Sequence, residues 1–234
     1  YVLGIVGGGA YIVNGAWTMA HTLVIGNGGS HGGLGNGGGV YVSGGAHDFF
    51  NCLVAGNHDY YGSGLYVNNG AVTIRNCTIA QNMGGGLYRN GGTVTVSDSI
   101  LWANGDDVAG SVSLSTCSVE DGDNLGTNGC LSADPLFERA FYLGTNSLCV
   151  DAGSAAAGAF GLDGRTTRAD GLPDAGAVDL GYHPAGGMDW SVADLHVATA
   201  GSDGNSGTNA AEPFRTLTKA LSVAGAGSRI HVAP

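Results

Sequence analysis

The chain has 234 residues, 45 of them glycine, with 43% hydrophobic and 12% charged residues and a formal net charge of −11. Lys219 is the only lysine and no cation precedes Arg75, which argues against nucleic acid or an anionic membrane surface as partner, since both need clustered basic residues. Five prolines and no G-X-Y period exclude collagen, the hydrophobic share excludes a disordered glycine tract, and no apolar run approaches the ~18 residues of a membrane span.

Residues 1–8 read as the tail of a preceding coil. The chain opens in mid-pattern at Tyr1, so we expect the native N-terminus to lie upstream. From Gly9 to Asn104 one pattern occurs four times: GAYIVNGAWTMAHTLVIGN (9–27), GVYVSGGAHDFFNCLVAGN (39–57), GLYVNNGAVTIRNCTIAQN (64–82) and GLYRNGGTVTVSDSILWAN (86–104). Each runs 18 steps from first Gly to last Asn, while the starts lie 30, 25 and 22 residues apart. A fixed core with elastic joints is one rung stacked repeatedly, with loops thrown out at a corner.

Inside a copy, apolar residues alternate in three short stretches. Ala10/Ile12, Val40/Val42 and Leu65/Val67 form the first. Trp17/Met19, Phe49, Val72/Ile74 and Val94/Val96 form the second. Cys52/Val54, Cys77/Ile79 and Ser99/Leu101 form the third. Period 2 marks strands with one buried face, and Asn-Gly or Gly-Gly at 14–15, 44–45, 69–70 and 91–92 permits positive φ at a sharp bend. Three short strands per turn with no room for a crossover helix predict an all-β fold, a parallel β-helix solenoid. Like residues then stack. Tyr11, Tyr41, Tyr66 and Tyr88 form an outward aromatic column at ~4.8 Å steps, and Asn27, Asn57, Asn82 and Asn104 form a corner ladder whose amides bond from rung to rung. Arg89 breaks the apolar pattern, and its head should escape the interior.

Residues 108–122 read as a fifth coil, with Cys117 below Cys52 and Cys77; these three are expected as buried, reduced thiols. After Asp121 the repeat stops. Cys130 and Cys149 lie in irregular sequence and are the better disulfide pair, which would imply an oxidising compartment. The expected organisation is coils over 1–122, a closing segment over 123–183, a linker over 184–194 and an opening or capping segment over 195–234.

Residues 123–183 resemble the closing segment of secreted bacterial right-handed β-helix proteins, including a type with a C-terminal anchor. Asp134–Phe137, Tyr142–Leu143, Ser147–Gly153, Asp163–Arg165 and Asp174–Asp179 carry the likeness, although Leu148 and Ala175 replace the family's usual Pro and Ile. Residues 195–234 resemble the opening segment of the same family: a strand, a Gly-Ser-Asp-x-Asn-x-Gly-Thr loop, a helix beginning near Pro213 with Phe214, Leu217, Ala220 and Leu221 on one face, and a first coil strand at Arg229–Val232. The order coils, closing segment, opening segment implies either a fragment spanning tandem β-helix domains or one period of a head-to-tail array.

Chemistry is weakly signalled. Asp48, Asp59, Asp98, Asp106 and Asp107 read as solvated turns rather than a catalytic set, and no catalytic residue is expected. His31, His47 and His58, with Asp48 and Asp59, are a weak metal constellation. Asp121, Asp123 and Asp203 are weak Ca²⁺ candidates that Asx-turns explain; no other cofactor is implied. Asn76–Thr78 is a formal glycosylation sequon at the start of a buried strand, read as coincidence. The tyrosine column, with Tyr60, Tyr61 and Trp102, reads first as a ladder that covers the coil and alternatively as a surface for stacking on glycans.

The expectation is therefore an extracellular or cell-surface structural or adhesive protein whose partners are copies of itself, head to tail. Phe214, Leu217, Leu221, Ile230 and Val232 of one unit would cover the Tyr1 end of the next. The alternative is a carbohydrate-active module that binds or cleaves acidic polysaccharide.

Overall fold

The computed structural model describes residues 8–28, 35–138, 141–184, 194–223 and 229–233. The chain divides into two compact units, Tyr1–Gly186 and Gly187–Pro234.

In the first unit the three alternating stretches become three parallel sheets. Strands β1 (Ala10–Ile12), β4 (Val40–Val42), β7 (Leu65–Val67), β10 (Leu87–Arg89) and β13 (Val108–Ala109) stack in the first. The second holds β2 (Ala16–Ala20), β5 (Ala46–Phe50), β8 (Ala71–Arg75), β11 (Thr93–Ser97) and β14 (Ser113–Ser115). The third holds β3 (Leu23–Ile25), β6 (Leu53–Ala55), β9 (Thr78–Ala80), β12 (Ile100–Trp102) and β15 (Ser118–Val119). Unequal joints do not disturb the register: Ala10, Val40, Leu65, Leu87 and Val108 pair in one line. The interior is a column of Val40, Val42, Phe49, Val54, Val67, Ile74, Ile79, Val96 and Leu101.

Left-handed backbone shapes the corners between the three strands of each rung. At the first, Gly15, Gly45, Gly70 and Gly92 all have positive φ. A Cβ on Gly70 would lie 2.7 Å from the Gly45 carbonyl oxygen, so the glycines answer both to the left-handed bend and to the rung below. The second corner escaped the sequence reading. His21, Asn51, Asn76, Asp98 and Thr116 occupy it, each left-handed with φ of 50–51°. Asn and Asp tolerate this region better than other side chains, but the mixture of five positions over four residue types hid the column.

The coil runs further than the repeat pattern indicated. Leu131 N–H donates to the Cys117 carbonyl, Val119 N–H donates to that of Leu131, and Thr116 N–H donates to that of Asn128. Residues 128–131 are thus part of a sixth rung. This overturns the expected Cys130–Cys149 disulfide. All five cysteines are free thiols. Cys130 continues the inward column beneath Cys117, whereas Cys149 packs with Ile100, Leu143 and Leu180 on the outer side of the third sheet. A sheet separates the two sulfurs.

The closing segment lies along the flank of the coils. Its Gly181, Tyr182 and His183 N–H groups donate to the Asp98 carbonyl (3.0 Å), Thr78 Oγ1 (2.9 Å) and Asn51 Oδ1 (2.6 Å), crossing coils four, three and two in turn. Asp98, buried, accepts from Ser154 N–H (2.7 Å) and Oγ (3.0 Å). This cover explains why β6 and β9 are buried at every position instead of alternating, with Leu53 and Ala55 beneath Tyr182.

In the second unit β16 (Asp194–Ala198) pairs in parallel with β17 (Arg229–Ala233), and helix α1 spans Leu217–Val223. The helix starts later than Pro213. Thr216 caps it, its Oγ1 accepting from Lys219 N–H at 3.1 Å. Asp203 holds the approach, taking the N–H groups of Arg215 and Thr216 at 3.0 and 2.8 Å. Phe214 stays outside the helix, bridges to β16 at Val197 and is buried with Leu195, Val197 and Ala220.

Ile79 is 1% exposed at the centre of the stack. Ile79→Ala should lower the unfolding free energy by about 2–5 kcal/mol in a denaturant titration. Substitution of exposed Met83 by Ala (68% exposed) should change it by less than ~0.5 kcal/mol.

Candidate functional site

The column of tyrosines is present. Ring centroids are 5.3 Å apart for Tyr11–Tyr41, 5.1 Å for Tyr41–Tyr66 and 5.1 Å for Tyr66–Tyr88, and the last two pairs are within 8° of parallel. Tyr61 leans on Tyr88 at 5.3 Å and Tyr60 stands edge-on to Tyr61 at 4.5 Å. Tyr11, Tyr60 and Tyr61 are exposed while Tyr66 is buried. Trp102 does not join them; it packs against the closing segment's core.

The asparagine ladder is more than amide-to-amide. Asn57 Oδ1 accepts both the backbone N–H (2.9 Å) and the side-chain amide (3.0 Å) of Asn27. Asn82 Oδ1 does the same for Asn57, and Asn104 Oδ1 for Asn82. Each amide also donates back to the strand of the rung before, at Val24, Val54 and Ile79. Asp107 terminates the series: its Oδ1 accepts from Asn104 N–H (3.3 Å) and Nδ2 (2.8 Å), and its Oδ2 from Glu120 N–H (2.9 Å). Asp107 is therefore a buried acceptor rather than a solvated turn residue, and burial pushes its carboxyl above the ordinary range. A sulfur and hydroxyl ladder runs alongside. Cys77 Sγ accepts from Cys52 N–H at 3.3 Å, and Ser99 Oγ from Cys77 N–H at 3.1 Å.

Among the described residues the weak metal constellation does not come together. His47 points inward, buried, with Nε2 2.5 Å from the Gly44 carbonyl. Asp48 pairs with Arg75 at 2.7 Å. Asp59 is buried against Ser63 and Tyr60, and His31 lies outside the described residues. Asp121 accepts the N–H groups of Asp107 and Asp123, and Asp203 those at the helix start, so turn geometry accounts for both. Arg89 escapes as expected, its guanidinium donating to the Gly92 carbonyl. Asn76 is fully buried, out of reach of a glycan.

The third feature is the coil's first rung. β1, β2 and β3 are the terminal strands of all three sheets. Trp17, Leu23 and Ile25 are 63%, 39% and 50% exposed, whereas their register partners His47, Leu53 and Ala55 one rung on are at most 4%. A cavity of about 610 Å³ opens there between Tyr11, Ile12, Trp17, Met19 and Phe49. In the second unit β17 has a strand partner on one edge only among the described residues, and Leu217, Leu221 and Val232 are 48%, 61% and 68% exposed. Phe214, expected on that surface, is buried in the unit's own core instead. Tyr1 lies outside the described residues.

Asn82→Ala should cost at least about 2 kcal/mol by denaturant titration, because it strips two buried donors of Asn57 and the Val54 carbonyl of partners. Asn27→Ala, at the half-exposed ladder end, should cost less than half as much; equal costs would refute the ladder. For Asp107 the folded carboxyl lies above its unfolded value of 3.8. Its contribution is thus complete below that pH and is lost as pH rises through the folded value. The stability of Asp107→Asn relative to the native chain should accordingly increase as pH is raised from ~4 to neutrality, read from melts across that range.

Comparison with known proteins agrees with this geometry. The family described as a right-handed beta helix region matches residues 8–135, and the family described as Protein of unknown function (DUF1565) matches residues 199–234. No curated protein and no solved structure matches the chain. With more than half its length matched, and with three parallel sheets in common register, the chain belongs to the right-handed β-helix family.

Proposed function

We propose that the protein is a structural or adhesive β-helix element of an extracellular or cell-surface assembly, and that its units associate head to tail. The observation that carries this reading is a pair of complementary free edges. Among the described residues, β1, β2 and β3 of the first rung each pair on one edge only, around an apolar mouth, and β17 of the second unit likewise pairs on one edge only. An open solenoid end is normally covered, because exposed strand N–H and C=O groups invite strand addition. The occupant of the first rung is then a segment like 194–233 from a second copy, with Leu217, Leu221 and Val232 supplying apolar cover and β17 supplying the strand. Such contact is heterologous and propagates unless its rotation closes a ring. The acidic charge and near absence of lysine suit an extracellular setting. A second reading, carbohydrate binding, is favoured by the exposed Tyr60 and Tyr61 beside the tyrosine column. Their faces would stack on sugar rings.

Sedimentation velocity tests the assembly. The native chain should show species that grow with concentration, and the double variant Leu221→Glu/Val232→Glu, at exposed positions, should stay monomeric with an unchanged circular dichroism spectrum. Identical size distributions for the two would end the proposal.

A further inference from the structure

The closing segment gathers three carboxylates that no function above uses. One oxygen from each of Asp151, Asp174 and Asp179 lies within 4.8 Å of the other two. Asp151 follows Cys149 in the turn 147–153, and Asp174 and Asp179 bracket the left-handed Gly176, which sits under Asp151 so that a Cβ on it would lie 3.3 Å from Asp151 Oδ1. Asp174 and Asp179 are 3% and 1% exposed, while Asp151 is exposed. The existing donors leave a gap. Asp179 accepts from Asp151 N–H at 2.7 Å and from the Thr167 hydroxyl. Asp174 Oδ2 accepts from Asp179 N–H at 2.9 Å and from His183 Nε2 at 2.7 Å. Asp174 Oδ1, equally buried, has no hydrogen-bond partner.

A buried carboxylate oxygen without a donor is costly, and three carboxylates this close repel one another. The His183 ring lies beside the group, with Nδ1 2.9 Å from the Gly181 carbonyl and Nε2 2.7 Å from Asp174 Oδ2. Three carboxyl groups thus converge beside a buried oxygen that no donor reaches. We propose that Asp151, Asp174 and Asp179 bind one divalent cation, Ca²⁺, with Asp174 Oδ1 as the buried ligand and Asp151 as the solvent-side ligand. An all-oxygen, all-carboxylate donor set selects hard cations over zinc or copper. The one-sided exposure leaves room for the waters that complete a Ca²⁺ shell, whose irregular geometry the ion tolerates. The ion would clamp the turn at Asp151 to the loop 174–179, whose continuation at Gly181–His183 runs along coils four to two. This site is separate from the weak candidates Asp121, Asp123 and Asp203.

The test is calorimetric titration of the EDTA-treated, dialysed full chain with CaCl₂, paired with thermal melts. One equivalent should bind, with a dissociation constant between about 10⁻⁶ and 10⁻³ M. The melting temperature should rise by about 5 °C or more at a hundredfold excess over that constant. Asp151→Asn removes the exposed ligand at a left-handed position (φ 53°) that Asn accepts. It should weaken binding at least ~10-fold while leaving the metal-free melt near that of the native chain. Asp121→Asn should bind as the native chain does. Absence of both heat and melting shift overturns the site, as does undiminished binding by Asp151→Asn. Repeating the titration in Leu221→Glu/Val232→Glu separates the result from self-association.

Discussion

The structure depends on one constraint: every rung must present the same backbone register to the rung before and after it. Strand hydrogen bonds in a β-helix run along the coil axis, so each rung is held by its two neighbours and by little else. The constant 18-step core satisfies this while joints of different length loop away from the stack. The same constraint decides what may lie inside. Apolar side chains pack on their equals, and most buried polar groups recur as columns, with His47, between Trp17 and Val72, an exception. The asparagine amides, the Cys52–Cys77–Ser99 series and the left-handed corner all obey it. Sulfur and hydroxyl exchange freely in the second because both accept the same backbone N–H.

A column must also end. Asp107 supplies that end for the asparagines, since a carboxylate accepts from several directions and needs no donor beyond itself. The cost is a buried negative charge, which burial expresses as a raised carboxyl. The closing segment solves a different problem. Coils bonded only along one axis have an outer face to cover, and Asp98, Thr78 and Asn51 each offer a side-chain or backbone acceptor to it. One strip of chain thereby ties three rungs together from outside, where a disulfide between Cys130 and Cys149 would have had to pass through a sheet.

Function follows from what that arrangement leaves uncovered. The outward tyrosines are largely spent on one another. Among the described residues, the first rung and the outer edge of β17 leave strand edges and apolar side chains without a partner. This is the physical ground for reading the protein as a building element, and the β-helix fold by itself hosts enzymes and non-enzymes alike.

How much was legible in the sequence divides along a physical line. Period-2 stretches, glycine pairs and repeated Tyr and Asn are properties of one rung compared with the next, and translation along the axis carries them directly into columns. The fold, the register and both ladders were therefore readable. Contacts between segments far apart in the chain were not. Asp98 with Ser154, Asn51 with His183, Thr78 with Tyr182, and Asp151 with Asp174 and Asp179 join residues with no common period. Their partners are set by the path of the closing segment over the flank. Cys130 shows the boundary most clearly. Its irregular neighbourhood suggested a partner in Cys149, but residues 128–131 still pair with the coil, and that backbone pairing places the sulfur inside the column beneath Cys117. Phe214 shows it again, because its helical spacing with Leu217 and Leu221 placed it on an outer face, whereas capping by Thr216 delayed the helix and turned Phe214 into the core.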